Sequence, residues 1–138
     1  MTRRGIRVAL VGLEFGAEFI PIYMHHPNVE YLGICDNRTR VLDKIGDAFG
    51  VQGRFTDIHD IIASDEYDAI HIVTPIHSHA KQTVAVLESG KHCACTVPMA
   101  TTIDDLYAIV AAQRKSGKIY MMMETSVYTR EFLYVREL

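Results

Sequence analysis

The chain has 138 residues and a formal net charge of −3 at pH 7, with 49% hydrophobic and 22% charged residues. This composition is typical of one folded domain with a substantial core, and it excludes an intrinsically disordered chain. The sequence pI of about 6.1 disfavours nucleic-acid binding, and no apolar run approaches the roughly 20 residues that a membrane span needs.

Short apolar runs alternate with amphipathic stretches along the first half of the chain. A short apolar run that ends at a glycine or a turn predicts a strand, and a longer amphipathic stretch predicts a helix. Pro21 is expected to kink the first helix or delay its start, and Asp57 is expected to cap the third. Strands are predicted at residues 6–11, 31–35 and 54–55, and helices at residues 15–26, 39–49 and 57–62.

The second half of the chain repeats this alternation. Gly90 and Gly117 end two of its predicted helices, as glycine commonly does just beyond a helix C-terminus. Strands are predicted at residues 69–73, 92–95 and 119–123, and helices at residues 78–88, 103–115 and 129–138. The three methionines of the sixth strand are expected to pack in the core, namely Met121, Met122 and Met123.

Six strands that alternate with helices predict an α/β fold, in which a mostly parallel sheet carries helices on both faces. Right-handed crossovers make this a doubly wound, Rossmann-type sheet, most simply in the spatial order 3-2-1-4-5-6. In such a fold ligands bind beyond the carboxyl ends of the strands, near the point where the strand order reverses. The strand-to-helix junctions are therefore the candidate sites.

The cysteine pattern bears on the compartment and on metal binding. Cys35, Cys93 and Cys95 form an odd set without C-x-x-C spacing, and each lies inside an apolar run. This pattern predicts buried, reduced thiols in a cytoplasmic protein, and it predicts neither a disulfide framework nor a metal site.

The first junction resembles the glycine-rich pattern G-x-G-x-x-G/A of dinucleotide-binding folds. Gly12 takes its first place and Ala17 its third, but Glu14 takes the middle place, where bulk and negative charge oppose a pyrophosphate. Taken alone, the junction is equally consistent with two interpretations. The turn either serves only the packing of the fold or binds a cofactor. In the second case the binding residues are Gly12, Leu13, Glu14, Phe15 and Gly16.

The second junction strengthens the cofactor interpretation. Asp36 ends the second strand 24 residues beyond Gly12. An acid at about this spacing accepts hydrogen bonds from the adenosine ribose of NAD and repels the 2′-phosphate of NADP. Arg38 and Arg40 weaken that preference, because a guanidinium can pair with a phosphate or stack on adenine. Asp36 is also consistent with a helix N-cap. Together the two junctions predict NAD as the cofactor and leave NADP open.

Three later segments, in order along the chain, carry a resemblance to a known family. They are Thr74-Pro75 followed by His79, the sequence E-x-G-K-H at residues 88–92, and P-x-A at residues 98–100. They resemble the Gfo/Idh/MocA oxidoreductases, named for glucose–fructose oxidoreductase and inositol dehydrogenase. The resemblance implies NAD(P)-dependent oxidation or reduction at a carbinol of a sugar, inositol or related polyol. It also implies that Thr74, Pro75 and His79 lie along the nicotinamide half of the cofactor.

One family motif is altered in this chain. The family's E-K-P reads Thr96-Val97-Pro98 here, and valine cannot perform the proton transfer that the family's lysine assists. The catalytic group is therefore left unassigned. Tyr128, beyond the sixth strand, is a candidate acid or base, although a buried structural tyrosine explains it more simply.

Two functional hypotheses follow. The first is the NAD(P)-binding domain of an oxidoreductase that acts on a sugar or polyol, and the second is a dinucleotide-binding or structural relative without chemistry, which Glu14 and Val97 support. We expect residues 1–138 to form the dinucleotide-binding domain, with the family's second, substrate-binding domain missing and no turnover by this chain alone. Neither a nucleic acid nor a membrane is an expected partner, and a homo-oligomer remains open.

Overall fold

The computed structural model describes residues 5–138, and a sheet of six parallel strands forms its centre. The spatial order is β3-β2-β1-β4-β5-β6, which confirms the predicted doubly wound α/β fold and its strand order. Residues 1–4 of the predicted domain lie outside the described residues. The strands are β1 (Ile6–Val11), β2 (Val29–Cys35), β3 (Gly53–Phe55), β4 (Ala69–Ile72), β5 (His92–Thr96) and β6 (Tyr120–Met123).

Six α-helices connect and flank these strands. Pro21 lies in the first turn of α1, so the first helix begins late, behind a 3₁₀ turn at Gly16–Phe19. The predicted cap is also present, since the Asp57 carboxylate accepts a hydrogen bond from the backbone N–H of His59. The helices are α1 (Ile20–His25), α2 (Thr39–Phe49), α3 (Ile58–Ala63), α4 (His79–Glu88), α5 (Ile103–Ser116) and α6 (Arg130–Arg136).

Two apolar cores lie on opposite faces of the sheet. Successive residues of a strand point to opposite faces, and in β1 Val8 and Leu10 belong to one core while Ala9 and Val11 belong to the other. The first core is completed by α1 and α2, and the second by α3, α4 and α5. Helices therefore cover both faces, as predicted.

The three cysteines lie in this interior, as the sequence predicts. Cys35, Cys93 and Cys95 are buried and unpaired, and burial raises the pKa of Cys35 and Cys93 to about 12. Across residues 5–138, no cluster of histidine, cysteine or acidic residues has the arrangement of a metal site. No helix in the same range is long and apolar enough to cross a membrane.

Two expectations about the carboxyl-terminal part of the chain are wrong. Met121 and Met122 are 51% and 47% exposed, because β6 is an edge strand whose two faces are only partly covered. Met123 alone packs against a core. Tyr128 is 77% exposed on the 3₁₀ turn Thr125–Tyr128, so it is not a buried structural tyrosine.

Candidate functional site

A cleft of about 820 Å³ opens at the carboxyl edge of the sheet, where the strand order reverses between β1 and β4. The loops that follow β1, β2, β3 and β4 form its walls. Eight of the ten residues predicted to bind a cofactor line it. They are Gly12, Leu13, Glu14, Phe15, Asp36, Arg38, Thr74 and Pro75.

Gly12 brings the first loop against β4. Its backbone has a φ of +93°, which other residues rarely adopt, and its N–H donates to the carbonyl of Cys35 at 2.8 Å. A Cβ atom at this position would lie 2.5 Å from the carbonyl oxygen of Val73. Only glycine therefore fits here. Gly16, by contrast, would place a Cβ 3.4 Å from the nearest atom, which is an ordinary contact, and it does not line the cleft.

The turn after Gly12 presents backbone N–H groups that have no acceptor within the described part of the chain. These are the N–H groups of Glu14 and Phe15, which precede the 3₁₀ turn Gly16–Phe19 and line the cleft. Free N–H groups at the start of a helical turn suit a phosphate or another anion.

Asp36 joins the loops that follow β1 and β2. Its Oδ2 atom accepts hydrogen bonds from Leu13 N and Arg38 Nη2, both at 3.0 Å, and its Oδ1 atom accepts from Arg38 N and Nε, both at 2.9 Å. Burial on its own would raise the pKa of Asp36, but the bonds from Arg38 and Leu13 outweigh burial and lower it. Asp36 is therefore a buried carboxylate anion.

The alternative interpretation of Asp36 as an N-cap does not hold. Arg38, and not Asp36, occupies the residue before α2, and that helix start has no side-chain cap. The Asp36 carboxylate instead accepts hydrogen bonds from the loops in front of the helix, and it lines the cleft.

The Glu14 carboxylate, in the glycine-rich turn, forms an ion pair with Arg38. Glu14 Oε2 is 3.3 Å from Arg38 Nη1, and the Glu14 side chain is 87% exposed. The Arg38 guanidinium thus partly compensates the negative charge of Glu14, which on its own would repel a pyrophosphate. Arg38 in turn is held by two carboxylates, Asp36 on one side and Glu14 on the other.

These groups fit the adenosine and pyrophosphate parts of a dinucleotide. The close approach at Gly12 and the free N–H groups of Glu14 and Phe15 suit a pyrophosphate, and the Asp36 carboxylate suits a ribose diol. An ionised carboxylate offers about four acceptor positions, and four donors of this chain already contact Asp36. A ribose hydroxyl that bonds Asp36 therefore replaces one of these four donors.

His79 departs from the role that the resemblance implies for it. It is only 1% exposed and does not line the cleft, so it is not placed to contact a cofactor. Its Nε2 atom lies 2.7 Å from the carbonyl oxygen of Thr74, and its Nδ1 atom lies 2.8 Å from that of Pro98. The imidazole therefore connects the loops after β4 and β5. Thr74 is also fixed through its hydroxyl, which donates to Gln82 Oε1 at 2.6 Å.

The altered family motif lies outside the cleft. The hydroxyl of Thr96 donates to the carbonyl of Ile72 at 3.3 Å within the sheet, and Val97 is half-buried in the next loop. Neither residue lines the cleft, and neither does Tyr128. Within residues 5–138 the cleft thus gathers eight of the ten predicted binding residues and none of the residues considered for catalysis.

Sequence reasoning missed the wall formed by the loop after β3. Thr56, Asp57, Ile58 and His59 line the cleft there, and Asp57 Oδ1 lies 2.8 Å from His59 Nδ1 as well as capping α3. The signal was available, because the rule that ligands bind beyond the carboxyl ends of strands applies to β3 as much as to β1. The third strand is so short in sequence, with a predicted range of only residues 54–55, that the junction after it gives a weak signal.

Comparison with known proteins gives the context of this cleft. A family model described as "Oxidoreductase family, NAD-binding Rossmann fold", that of the Gfo/Idh/MocA proteins, matches residues 6–124. A glycosyl hydrolase family 109 protein of Shewanella baltica is 34% identical over 94% of this chain. An alpha-N-acetylgalactosaminidase of Shewanella oneidensis is 30% identical over the same share. The chain spans only 30% of the length of each of these relatives.

Solved structures give the same architecture. The WlbA dehydrogenase from Bordetella pertussis, in complex with NADH and UDP-GlcNAcA, has a TM-score of 0.85 and 27% identity over 97% of this chain and 41% of its own. The apo scyllo-inositol dehydrogenase from Lactobacillus casei has a TM-score of 0.85 and 22% identity over 100% of this chain and 42% of its own. The second likeness shows the fold alone.

Proposed function

Because the chain belongs to the Gfo/Idh/MocA oxidoreductase family as an NAD-binding Rossmann domain, we propose that the whole protein uses NAD to oxidise or reduce a carbinol carbon of a sugar, inositol or related polyol. The observation that carries this proposal is the Asp36 carboxylate, buried at the end of β2 in the same cleft as the Gly12 turn. The carboxylate suits a ribose diol and the turn suits a pyrophosphate, so the two parts of one dinucleotide can bind together.

In this proposal, each wall of the cleft has a separate binding task. The N–H groups of Glu14 and Phe15 donate to the pyrophosphate, and Asp36 accepts from the adenosine ribose in place of one of its present donors. Thr74 and Pro75 form the wall along the nicotinamide half, and His79 supports that wall from behind. The bound nicotinamide supplies the hydride acceptor or donor.

Proton transfer needs a group other than the one at the family's lysine position. Val97 has no donor, acceptor or charge, so it cannot take the proton of a carbinol. The proposal therefore assigns this step to a residue of a substrate domain outside this chain. The larger size of the relatives supports such a domain, since this chain spans less than half of each one.

A second candidate reaction is the cleavage of a glycoside of an N-acetylhexosamine. The names of the relatives that are 30% and 34% identical support it, because they are an alpha-N-acetylgalactosaminidase and a glycosyl hydrolase family 109 protein. A relative without chemistry is a third candidate, which Val97 supports. The unpaired, buried cysteines support a cytoplasmic location in every case.

Activity assays on the whole protein separate these candidates. Reduction of NAD⁺ with a sugar or inositol supports the first candidate, and release of p-nitrophenol from p-nitrophenyl N-acetyl-α-galactosaminide in the presence of NAD⁺ supports the second. Activity that survives Val97→Lys would support a lysine-free site. Activity that appears only in Val97→Lys would show that the natural protein has lost this chemistry. Turnover by the 138-residue chain itself would contradict the need for a second domain.

A further inference from the structure

Arg38 is the only lysine or arginine that lines the cleft within residues 5–138, whereas three carboxylates line it, those of Glu14, Asp36 and Asp57. The Nε and Nη2 atoms of the guanidinium are bonded to Asp36 at 2.9 and 3.0 Å. Its Nη1 atom is bonded to Glu14 at 3.3 Å. All three nitrogens of this cation therefore contact carboxylates.

This arrangement bears on which dinucleotide the cleft accepts. NADP differs from NAD by a phosphate on the adenosine ribose, and proteins bind that phosphate with an arginine near the acid at the end of the second strand. Asp36 holds one edge of the guanidinium in a two-point pair. The Arg38 side chain is half-exposed, and Nη1 takes no part in the pair with Asp36, so Nη1 is the part of Arg38 that can meet a phosphate while that pair stays in place. Glu14 occupies Nη1.

We propose that Glu14 is a specificity-determining residue that excludes dinucleotides with a 2′-phosphate. It does so by occupying Arg38 Nη1 and by adding a negative charge beside the place where the 2′-phosphate would lie. The inference rests on the proposed binding of NAD in this cleft. It also gives a function to the residue that departs from the glycine-rich pattern.

Two other charged residues near Glu14 and Arg38 do not take part in this discrimination against a 2′-phosphate. Arg40 lies in the first turn of α2 and is exposed, but it does not line the cleft. Glu18 is exposed in the 3₁₀ turn that follows Glu14, and it does not line the cleft either. Glu18→Gln therefore makes the same change of charge as Glu14→Gln, four residues away, without contact to Arg38.

The test is calorimetric titration of the natural chain, Glu14→Gln and Glu18→Gln with NAD⁺ and NADP⁺ at low and high salt. Glu14→Gln is expected to lower the Kd of NADP⁺ by about three- to tenfold at low salt, to change that of NAD⁺ by a smaller factor, and to lose most of its effect at high salt. Glu18→Gln is expected to leave the ratio of the two Kd values unchanged. The same contrast is expected between 2′,5′-ADP and ADP, which lack the nicotinamide half.

Arg38→Gln in combination with Glu14→Gln tests the route of the effect. Because part of the effect runs through Arg38 Nη1, Glu14→Gln is expected to favour NADP⁺ by a smaller factor when Arg38 is replaced, and an undiminished factor would overturn the route through Arg38. Equal shifts in the Kd of NAD⁺ and NADP⁺ would overturn the proposal, because they would place the effect of Glu14 on the shared pyrophosphate. An unchanged ratio would overturn it as well. Absence of NAD⁺ binding by the natural chain would instead overturn the proposed cofactor site, and this inference with it.

Discussion

His71 makes the stability of the domain depend on pH in a calculable way. It lies on β4 under the first loop, 1% exposed, with its Nδ1 atom 3.0 Å from the Tyr23 hydroxyl and its ring 4.7 Å from that of Phe19. Its Nε2 atom has no hydrogen-bond partner among the described residues. Burial lowers the pKa of His71 from 6.5 to about 4, because the imidazolium would lose its hydration without gaining a partner.

The sign of the effect follows from proton uptake. Between pH 6.5 and about 4 the unfolded chain binds a proton at His71 and the folded chain does not, so the free energy of unfolding falls as the pH is lowered through this window. Across the full window the free energy of unfolding decreases by on the order of 3 kcal/mol. About 2 kcal/mol of this decrease falls between pH 7 and pH 5. That loss is large for a domain whose total stability is about 5–15 kcal/mol.

Urea unfolding followed by circular dichroism measures this loss at several pH values from about 7 to about 5. His71→Phe keeps a ring of similar size and removes the titration, so its stability should fall much less over the same range. His77→Gln removes an exposed histidine and should retain the full dependence of the natural chain. An equally steep fall in His71→Phe would refute the assignment and would point to carboxylates instead.

Two further substitutions and one chemical test follow from the geometry. Gly12→Ala should destabilise the fold by more than about 1 kcal/mol and abolish dinucleotide binding, because its Cβ would collide with the Val73 carbonyl, whereas Gly16→Ala should be tolerated in thermal unfolding and in calorimetry. Equal tolerance of both would contradict the close approach at Gly12. Iodoacetamide should label the cysteines only after unfolding, because burial keeps them protonated and covered, and mass spectrometry of the native chain would reveal any exception.

The fold could be predicted from the sequence because local signals agree with the tertiary structure. Gly50 and Gly117 have φ values of +67° and +65° at the ends of α2 and α5, as expected for glycines that stop helices. Local signals do not determine the start of the first helix, since the glycine-rich turn continues into a 3₁₀ turn before α1 begins at Ile20, next to Pro21. Propensity alone does not separate a kinked helix from a delayed one.

Burial near the edge of the sheet was harder to predict. An apolar strand in the middle of the sheet and an apolar edge strand look alike in sequence, so Met121 and Met122 were expected in the core although they are half-exposed. Which strand lies at the edge is decided by the order of the whole sheet. The exposure of Tyr128 follows from the same cause, because the turn that carries it continues from this edge.

The candidate site was predictable where spacing along the chain determines position. Gly12 and Asp36 end neighbouring strands, so their separation was enough to place them together. The direction of a side chain is set by tertiary packing, which explains why the pairing of Glu14 with Arg38 and the burial of His79 could not be read from the sequence.

The central claim is that the cleft between the Gly12 turn and Asp36 binds NAD. Calorimetric titration of the chain with NAD⁺ tests it most directly, with Asp36→Ala as the variant and Asp60→Ala, an exposed acid of α3 outside the cleft, as the control. The account predicts saturable binding by the natural chain and by Asp60→Ala. It predicts that Asp36→Ala binds NAD⁺ more weakly and has a smaller preference for NAD⁺ over NADP⁺, while the variant remains folded by circular dichroism. Absence of binding by the natural chain, or equal affinity and preference in folded Asp36→Ala, would contradict it.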